Sequence, residues 1–539
     1  MRVLLVQPRV PVTYWGFQYA ISIAGRAVNL PPLGLITVAA LLPESWSLRL
    51  VDLNGESLDR ADLFWADVVF TGGMRVQAES MREVVTQARA AGRPVVVGGS
   101  AVSTDPDLMP DADVVFMGEA EGRERELVDA VEDVVCRYSP SRTDASTEPV
   151  RLMPNPDQYP SMEKASVPRF DLLKRDLYIS MAVQYSRGCP FSCEFCDVVS
   201  IFGSRSRVKP VERVLAELDD LYEAGYRGTL FFVDDNFIGN RKEVRKLLPK
   251  LAAWQKKRNY PFELYTEASV DLASDEELME EMVWSGFTSV FLGIETPSTA
   301  ALESAGKRQN LKLDLAVAVE RITQQGMEVM GGFIVGFDSD RPEVFKLQRE
   351  FIGSLPMPLA MVGILTAMPG TPLWRRLGKE GRLRDSQTGD QFCRPNFKPR
   401  MDERALLSGY AALMSDLYSP ISYYERCHAY LERTPPPVAA RTVRPGGYKV
   451  LLRSMWRIGL LGQARRYYWR LLFAAIRRGR TSLSWAVGKA IQGEHFIRYT
   501  RQEVLPRLRQ EMERMAREAS AKGVAPGHVS ARAGLPPGE

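Results

Sequence analysis

Residues 1 to 135 carry short apolar runs at Val3 to Val6, Leu48 to Val51, Val68 to Thr71, Val95 to Val97 and Val114 to Phe116. Runs this short, bounded by glycine or polar residues, read as buried strands. Between several of them apolar residues return every three or four positions, as in Pro32 to Leu42 and Ala78 to Ala91. That is the spacing of a helix with one buried face. The alternation predicts an α/β domain, a doubly wound parallel sheet, over 1–137. Its strands end on Gly72-Gly73, Gly98-Gly99 and Gly118, where such folds hold ligands. Residues 138–170 are polar and Pro-rich at first and read as a linker. A second strand series follows, at Met181 to Ser186, Thr229 to Val233, Glu263 to Thr266, Ser289 to Ile294, Gly332 to Val335 and Met361 to Leu365. Helical patterns such as Val211 to Ala224 and Leu313 to Gln325 separate most of these strands. Six βα units over 171–400 suit a partial or complete parallel barrel, (β/α)6, better than a second open sheet. A Pro-rich break at 434–447 interrupts a helical C-terminal extension, 401–518, and the Gly-, Pro- and Ala-rich end, 519–539, reads as disordered.

Length and composition change this picture little. The 539 residues, 45% apolar and 25% charged, allow two or three compact units. The N-terminal apolar run stops at Pro8, no stretch reaches membrane-spanning length, and we expect a cytoplasmic protein. Charge is more informative. Residues 441–510 hold 16 Arg and Lys against only Glu494 and Glu503, a local net charge of +14 within a chain of net +4. The partner of that charge should be sought there.

Six cysteines are too few for a disulfide framework, and three lie within eight residues. The stretch from Arg187 to Cys196 reads RGCPFSCEFC, placing Cys189, Cys193 and Cys196 in a C-x3-C-x2-C pattern just after the first strand of the second series. Three thiolates can hold three irons of a cubane and leave the fourth open. The competing reading is structural zinc, which needs a fourth ligand. The next cysteines are Cys136 and Cys393, and the first histidine is His428. The motif, with Phe195 before its last cysteine, resembles the radical S-adenosylmethionine (SAM) superfamily. That resemblance implies a 4Fe-4S cluster on the three cysteines as the catalytic and metal site. SAM then chelates the open iron, and its adenine lies near Phe195. Reductive cleavage to a 5′-deoxyadenosyl radical follows, with electrons from a donor such as flavodoxin or ferredoxin. The strand-end carboxylates Glu267 and Glu295 are candidates for the amino or ribose groups of SAM, or else loop caps and ion pairs. Asp234, Asp235 and Asn236 would face substrate or form a turn.

The first domain lacks the G-x-G-x-x-G turn of a dinucleotide site. Its PPLGL (31–35), TGG (71–73), VGG (97–99) and MGE (117–119) resemble the cobalamin-binding domain that precedes the barrel in one branch of the same superfamily. The resemblance implies cobalamin binding by Pro32, Gly34, Thr71, Gly72, Gly98, Gly99, Gly118 and Glu119. No histidine occurs in the domain, so cobalamin there would lack a histidine lower ligand.

In the C-terminal region Trp456, Tyr467, Tyr468, Trp469, Phe473 and Trp485 interleave with arginines. Such a pattern suits peripheral membrane contact through 441–510, nucleic acid, or plain helix packing with solvated arginines. QYSRGCPF (184–191), FVDDNFIGN (232–240), TEAS (266–269), GFIVGFD (332–338) and YWRLL (468–472) resemble the hopanoid 2-methylase group over most of residues 1–500. The resemblance implies a cobalamin-dependent radical SAM C-methyltransferase acting on an unactivated carbon of a hydrophobic, hopanoid-like lipid. It favours a lipid partner at the inner membrane face over nucleic acid. Cyclisation or rearrangement of a lipid or natural product, and a non-catalytic cobalamin or cluster sensor, are the competing functions.

Overall fold

The computed structural model describes residues 1–138, 148–155, 158–384, 394–435 and 447–521. In the first domain β1 (Arg2–Gln7), β2 (Ser47–Asp52), β3 (Val68–Gly72), β4 (Val95–Gly98), β5 (Val114–Phe116) and β6 (Val150–Leu152) form one parallel sheet. Its order is β2-β1-β3-β4-β5-β6, the reversal beside β1 marking a doubly wound fold. Alternate residues face opposite sides. Leu4, Val69, Val97 and Val115 pack with Met81, Val84 and Ala88 of the helix Ala78–Ala90. Val3, Phe70, Val96 and Val114 pack with Leu35 of Leu33–Ala39 and with Leu127 and Val131 of Glu124–Arg137. β6 lies inside the stretch read as a linker and corrects it. Three residues are too few to show an alternation, but they extend the sheet from β5.

The second unit is a half-barrel. β7 (Ser180–Val183) is followed by a short antiparallel pair, β8 (Ser186–Arg187) and β9 (Arg207–Val208). Then come β10 (Gly228–Phe232), β11 (Phe262–Ala268), β12 (Phe287–Glu295), β13 (Glu328–Val335) and β14 (Ala360–Ile364). The parallel order is sequential, β7-β10-β11-β12-β13-β14. On the convex side Leu230, Leu264, Val290 and Leu292 are fully buried against Leu218, Leu247, Met282 and Ile322 of the surrounding helices. The alternate residues Phe231, Tyr265 and Phe291 are only half-buried on the concave side.

Tyrosines and the N-terminal segment cover the open edges. Tyr410 of the helix Glu403–Leu417 donates to the Val362 carbonyl on β14 (2.7 Å), and Tyr418 donates to that of Ala360. Their hydroxyls stand where a further strand would pair. At the other edge the Val28 carbonyl accepts from Ile179 (2.9 Å) and that of Asn29 from Ser180 (3.1 Å). Between these edges Tyr14 packs among Tyr418, Phe496 and Tyr499.

The C-terminal helices, including Pro420–Arg433, Arg465–Arg477 and Arg480–Tyr499, share the barrel's core through Tyr423, Leu471 and Ala490. Several aromatics of the basic region belong to this packing. Tyr468 is fully buried, and Trp485 stacks on Tyr430 and donates to Glu328 (2.6 Å). The last helix, Leu505–Ala521, runs into the stretch expected to be disordered, while 522–539 lie outside the described residues. Among the described residues no helix is long and apolar enough to cross a membrane.

Candidate active site

The three cysteines sit on one excursion between β8 and β9, at the carboxyl end of the half-barrel. Gly188 opens it at φ +90°, and a Cβ there would stand 2.6 Å from the Arg205 carbonyl. Only glycine lets the two ends of the loop close this tightly. The far side is fastened by Glu194, whose amide donates to Ala305 (2.9 Å) and whose carboxylate pairs with Arg376.

The Asp-Asp-Asn stretch after β10 clamps the near side. Asp234 accepts from the amides of Tyr185 (3.2 Å) and Ser186, and Asp235 from that of Gly188 (3.0 Å). Burial pushes Asp234 up to about 7 and Asp235 to about 6. Asn236 holds Ser269 (3.1 Å) and directs its amide at Cys189 Sγ (3.9 Å). These residues therefore hold the cysteine loop.

A second amide, Gln309 Nε2, stands 3.6 Å from Cys193 Sγ. Beside it Lys307 is ion-paired to Glu295 (2.7 Å) and lies 5.9 Å from the Phe195 ring. Burial opposes the lysine charge, but Glu295 and the thiols of Cys193 and Cys196 outweigh it and raise its pKa. Burial also pushes the Cys196 thiol up to about 12 and raises that of Cys189. Thiolates here need nearby positive charge and N–H donors, which bound iron, Lys307, Asn236 and Gln309 would provide. Donors to sulfur and an adjacent cation are the surroundings that suit an iron–sulfur cluster. Among the described residues no three His, Cys, Asp or Glu side chains converge as a single-ion site would require.

The two candidate carboxylates part company. Glu295 is committed to Lys307 and sits in the left-handed region (φ +64°) where the register with β13 shifts. Glu267, on the concave side of β11, has no hydrogen-bond or ion-pair partner among the described residues. Burial, with Asp235 and Asp234 nearby, pushes it up to about 8. Phe195 packs edge-on to Phe337 at 6.0 Å.

The glycine turns of the first domain lie side by side at the carboxyl ends of β3, β4 and β5. A Cβ on Gly72 would meet the Gly98 carbonyl at 2.9 Å, and one on Gly99 (φ +93°) the Gly73 backbone at 2.8 Å. Thr71 Oγ1 is buried there without a partner. Pro32 caps the helix Leu33–Ala39, and Gly34 is exposed with open space around it. An edge of bare backbone with one orphaned hydroxyl fits the approach of a broad ligand such as a corrin. Gly118, by contrast, gives its amide to Ser103 (2.9 Å).

Glu119, expected as a cofactor contact, is held in ion pairs at the domain boundary. Arg187 and Arg207 face each other across β8 and β9, an arrangement that repels unless neutralised. Glu119 bonds both, at 2.7 and 2.6 Å, and Glu121 bonds Arg187 at 2.7 Å. Arg187 is 10% exposed and Glu119 3%. The Gly118 turn and the cysteine loop thus share one buried wall of charge. Sequence reasoning missed Lys307, Gln309, Arg207 and Glu121. Arg187 alone carried a signal, its place beside Gly188-Cys189. Lys307 lies over a hundred residues from the thiols it faces, and only the fold joins them.

A doubly wound domain with a bare glycine edge, joined to a half-barrel with three loop cysteines, defines a cobalamin-dependent radical SAM enzyme. Residues 183–347 match the radical SAM superfamily, 20–128 the B12 binding domain and 371–507 a domain of unknown function (DUF4070). The chain belongs to the family of cobalamin-dependent radical SAM methyltransferases that includes hopanoid C-2 methylase. It is 33% identical over 510 residues to the hopanoid C-2 methylase of Rhodopseudomonas palustris, covering 93% of this chain and 94% of that one. It is 37% identical over 528 residues, 96% of each chain, to an uncharacterized methyltransferase of Synechocystis sp.. The cobalamin-dependent SAM radical enzyme OxsB shares the fold, with a TM-score of 0.58 at 16% identity over 97% of this chain and 81% of that one. The 4Fe-4S cluster, SAM and cobalamin are the cofactors of this enzyme.

Proposed function

We propose that the enzyme methylates an unactivated carbon of a hydrophobic, hopanoid-like polycyclic lipid. The concave wall of the half-barrel is the observation that carries this reading. Phe231 and Tyr265 stack face to face, ring centroids 4.5 Å apart and planes within 3° of parallel, and Phe291 meets Trp15 edge-on at 5.3 Å. Gly332 makes room for the Phe291 ring, since a Cβ there would strike it at 2.8 Å. An aromatic wall with few charges suits a hydrocarbon ring system better than a polar metabolite. The hopanoid C-2 methylase relative points to the same substrate class.

When bound, the cofactors provide a hydrogen-abstracting radical and a methyl donor. The chain's residues hold and orient them. Cys189, Cys193 and Cys196 would carry the cluster, with Asn236 and Gln309 on their sulfurs. Glu267, without an ion-pair partner among the described residues, would be available to the amino group or ribose hydroxyls of SAM. Thr71, Gly72, Gly98 and Gly99 would receive cobalamin, and their domain would offer it no histidine. The electron paramagnetic resonance spectrum of the cob(II)alamin form should then be unchanged when the protein's histidines carry nitrogen-15, and a changed axial splitting would contradict this ligation. A flavodoxin or ferredoxin is the electron donor this chemistry needs.

The substrate is tested by lipid mass analysis of a hopanoid-producing host with and without the gene. Expression should add one methyl group to the ring system of a polycyclic lipid. An unchanged lipid profile, with the enzyme active in SAM cleavage, would move the substrate outside this class.

A further inference from the structure

We propose that the face formed by residues 447–480 docks the enzyme on an anionic lipid bilayer, from which it draws its substrate. The inference rests on the lipid reading for what is drawn, but not for the docking itself. Tyr448, Leu452, Trp456 and Leu460 recur every four residues along the helix Gly447–Ser454 and the wider helical turn Met455–Leu460. Leu461 follows, and Phe473 and Ile476 share a face of Arg465–Arg477. All seven are more than half exposed. Elsewhere among the described residues only Phe64, Met74, Met153 and Trp284 among the large apolar side chains are so exposed, and they are scattered. A contiguous exposed apolar patch of this kind marks an interaction surface.

Its charge says what it meets. Between 447 and 480 the chain has nine Lys and Arg and no Asp or Glu. All nine are exposed, and none has a carboxylate partner among the described residues. A second copy related by a two-fold axis would set this cationic surface against itself. Nucleic acid would answer the charge but would gain nothing from exposed Leu452, Leu460, Leu461 and Ile476. A bilayer with anionic headgroups answers both, receiving the aliphatic and aromatic tips at the acyl boundary while the arginines stay among phosphates.

The face also borders the N-terminal segment that reaches the concave wall. Leu452, Arg453, Trp456 and Arg457 border a cleft of about 510 Å³ whose other wall is Ser22, Ile23 and Gly25. That wall belongs to the segment that, a few residues earlier, lays Trp15 on Phe291 of the concave wall.

The test is sedimentation of the whole protein with phosphatidylcholine vesicles, with and without phosphatidylglycerol. The protein should bind the anionic vesicles at low salt and be released as salt rises. Changing Arg465, Arg466, Arg477 and Arg478 to Glu should weaken binding by at least about a hundredfold, since each charge near the surface contributes about fivefold. A second variant, Trp456→Ser with Leu461→Ser and Phe473→Ser, should weaken it by at least about tenfold. Both variants should keep SAM cleavage and methylate detergent-dispersed lipid, which shows that they fold. Undiminished vesicle binding by either variant, equal binding to neutral vesicles, or tighter binding to an RNA oligomer would overturn the proposal and leave the lipid reading standing. Vesicle binding by an enzyme that methylates no lipid in either form would sustain the docking and defeat the substrate reading instead.

Discussion

Arginine does opposite work in two regions of this molecule. At the base of the cysteine loop Arg187 and Arg207 are largely buried, and carboxylates from the other domain meet both of them. Along 447–480 the arginines are exposed and, among the described residues, pair with no carboxylate. The first pair is structure: removing one partner strands a charge in a poorly solvated wall. The second group is capacity: among the described residues no carboxylate neutralises it, so its charge is available to a partner. The residue type is the same in both places, and burial with pairing separates the roles.

The comparison can be broken most sharply at the sulfurs. Cys193→Ala should abolish reductive cleavage of SAM, because one cluster iron loses its ligand. Cys427→Ala, at a cysteine buried in the C-terminal helices, should keep both the cluster spectrum and the cleavage. Full cleavage by the Cys193 variant would end the cluster assignment.

Next in size are the arginines. Arg187→Met leaves Glu121 buried without its ion-pair partner and Glu119 with Arg207 alone, and should cost about 3–5 kcal/mol in chemical denaturation. Arg466→Met, at an exposed site, should change stability by no more than about 0.5 kcal/mol. Equal effects would erase the distinction drawn between the regions.

His495 offers a pH-resolved test of how the C-terminal helices grip the rest. It is fully buried, accepts from the Tyr19 amide (3.4 Å) and bonds the Thr13 carbonyl (2.9 Å). Burial lowers it to about 4. Between the ordinary 6.5 and 4 the unfolded chain binds the extra proton, so stability falls as pH drops through that window. The loss should approach about 3 kcal/mol, a shift of two to three units being worth roughly that much. In His495→Phe the contribution should vanish, and a melting profile over pH 4–7 identical to the parent's would contradict it.

Much of this architecture was legible in the sequence, because strands buried on both faces leave unbroken apolar runs and cysteine spacing is local. Both sheets and the cysteine loop come from such signals. β6 did not, since Val150–Leu152 is too short to show a period. Nor did the fate of the acidic residues. Glu119 sits in a glycine turn that reads as a ligand contact, and only the packing of two domains hands it to Arg187 and Arg207. Glu267 and Glu295 look alike as strand-end carboxylates, yet a lysine twelve residues on claims Glu295 and leaves Glu267 free. The aromatics of the basic region divide in the same way. Tyr468 and Trp485 are core, while Trp456 and Phe473 are surface, and helical spacing alone does not say which face of a helix the fold covers.

The central claim is that the cysteine loop and the glycine edge act together in one methyl transfer. The most direct measurement is coproduct analysis of the whole protein, reconstituted without oxygen with iron, sulfide, cobalamin and SAM, and given a hopanoid-like lipid and a reductant. The account predicts that S-adenosylhomocysteine and 5′-deoxyadenosine both accumulate, in step with methylated lipid, and that S-adenosylhomocysteine and the methylated lipid stop rising when cobalamin is withheld. Accumulation of 5′-deoxyadenosine alone, with product formed at the same rate without cobalamin, would contradict it.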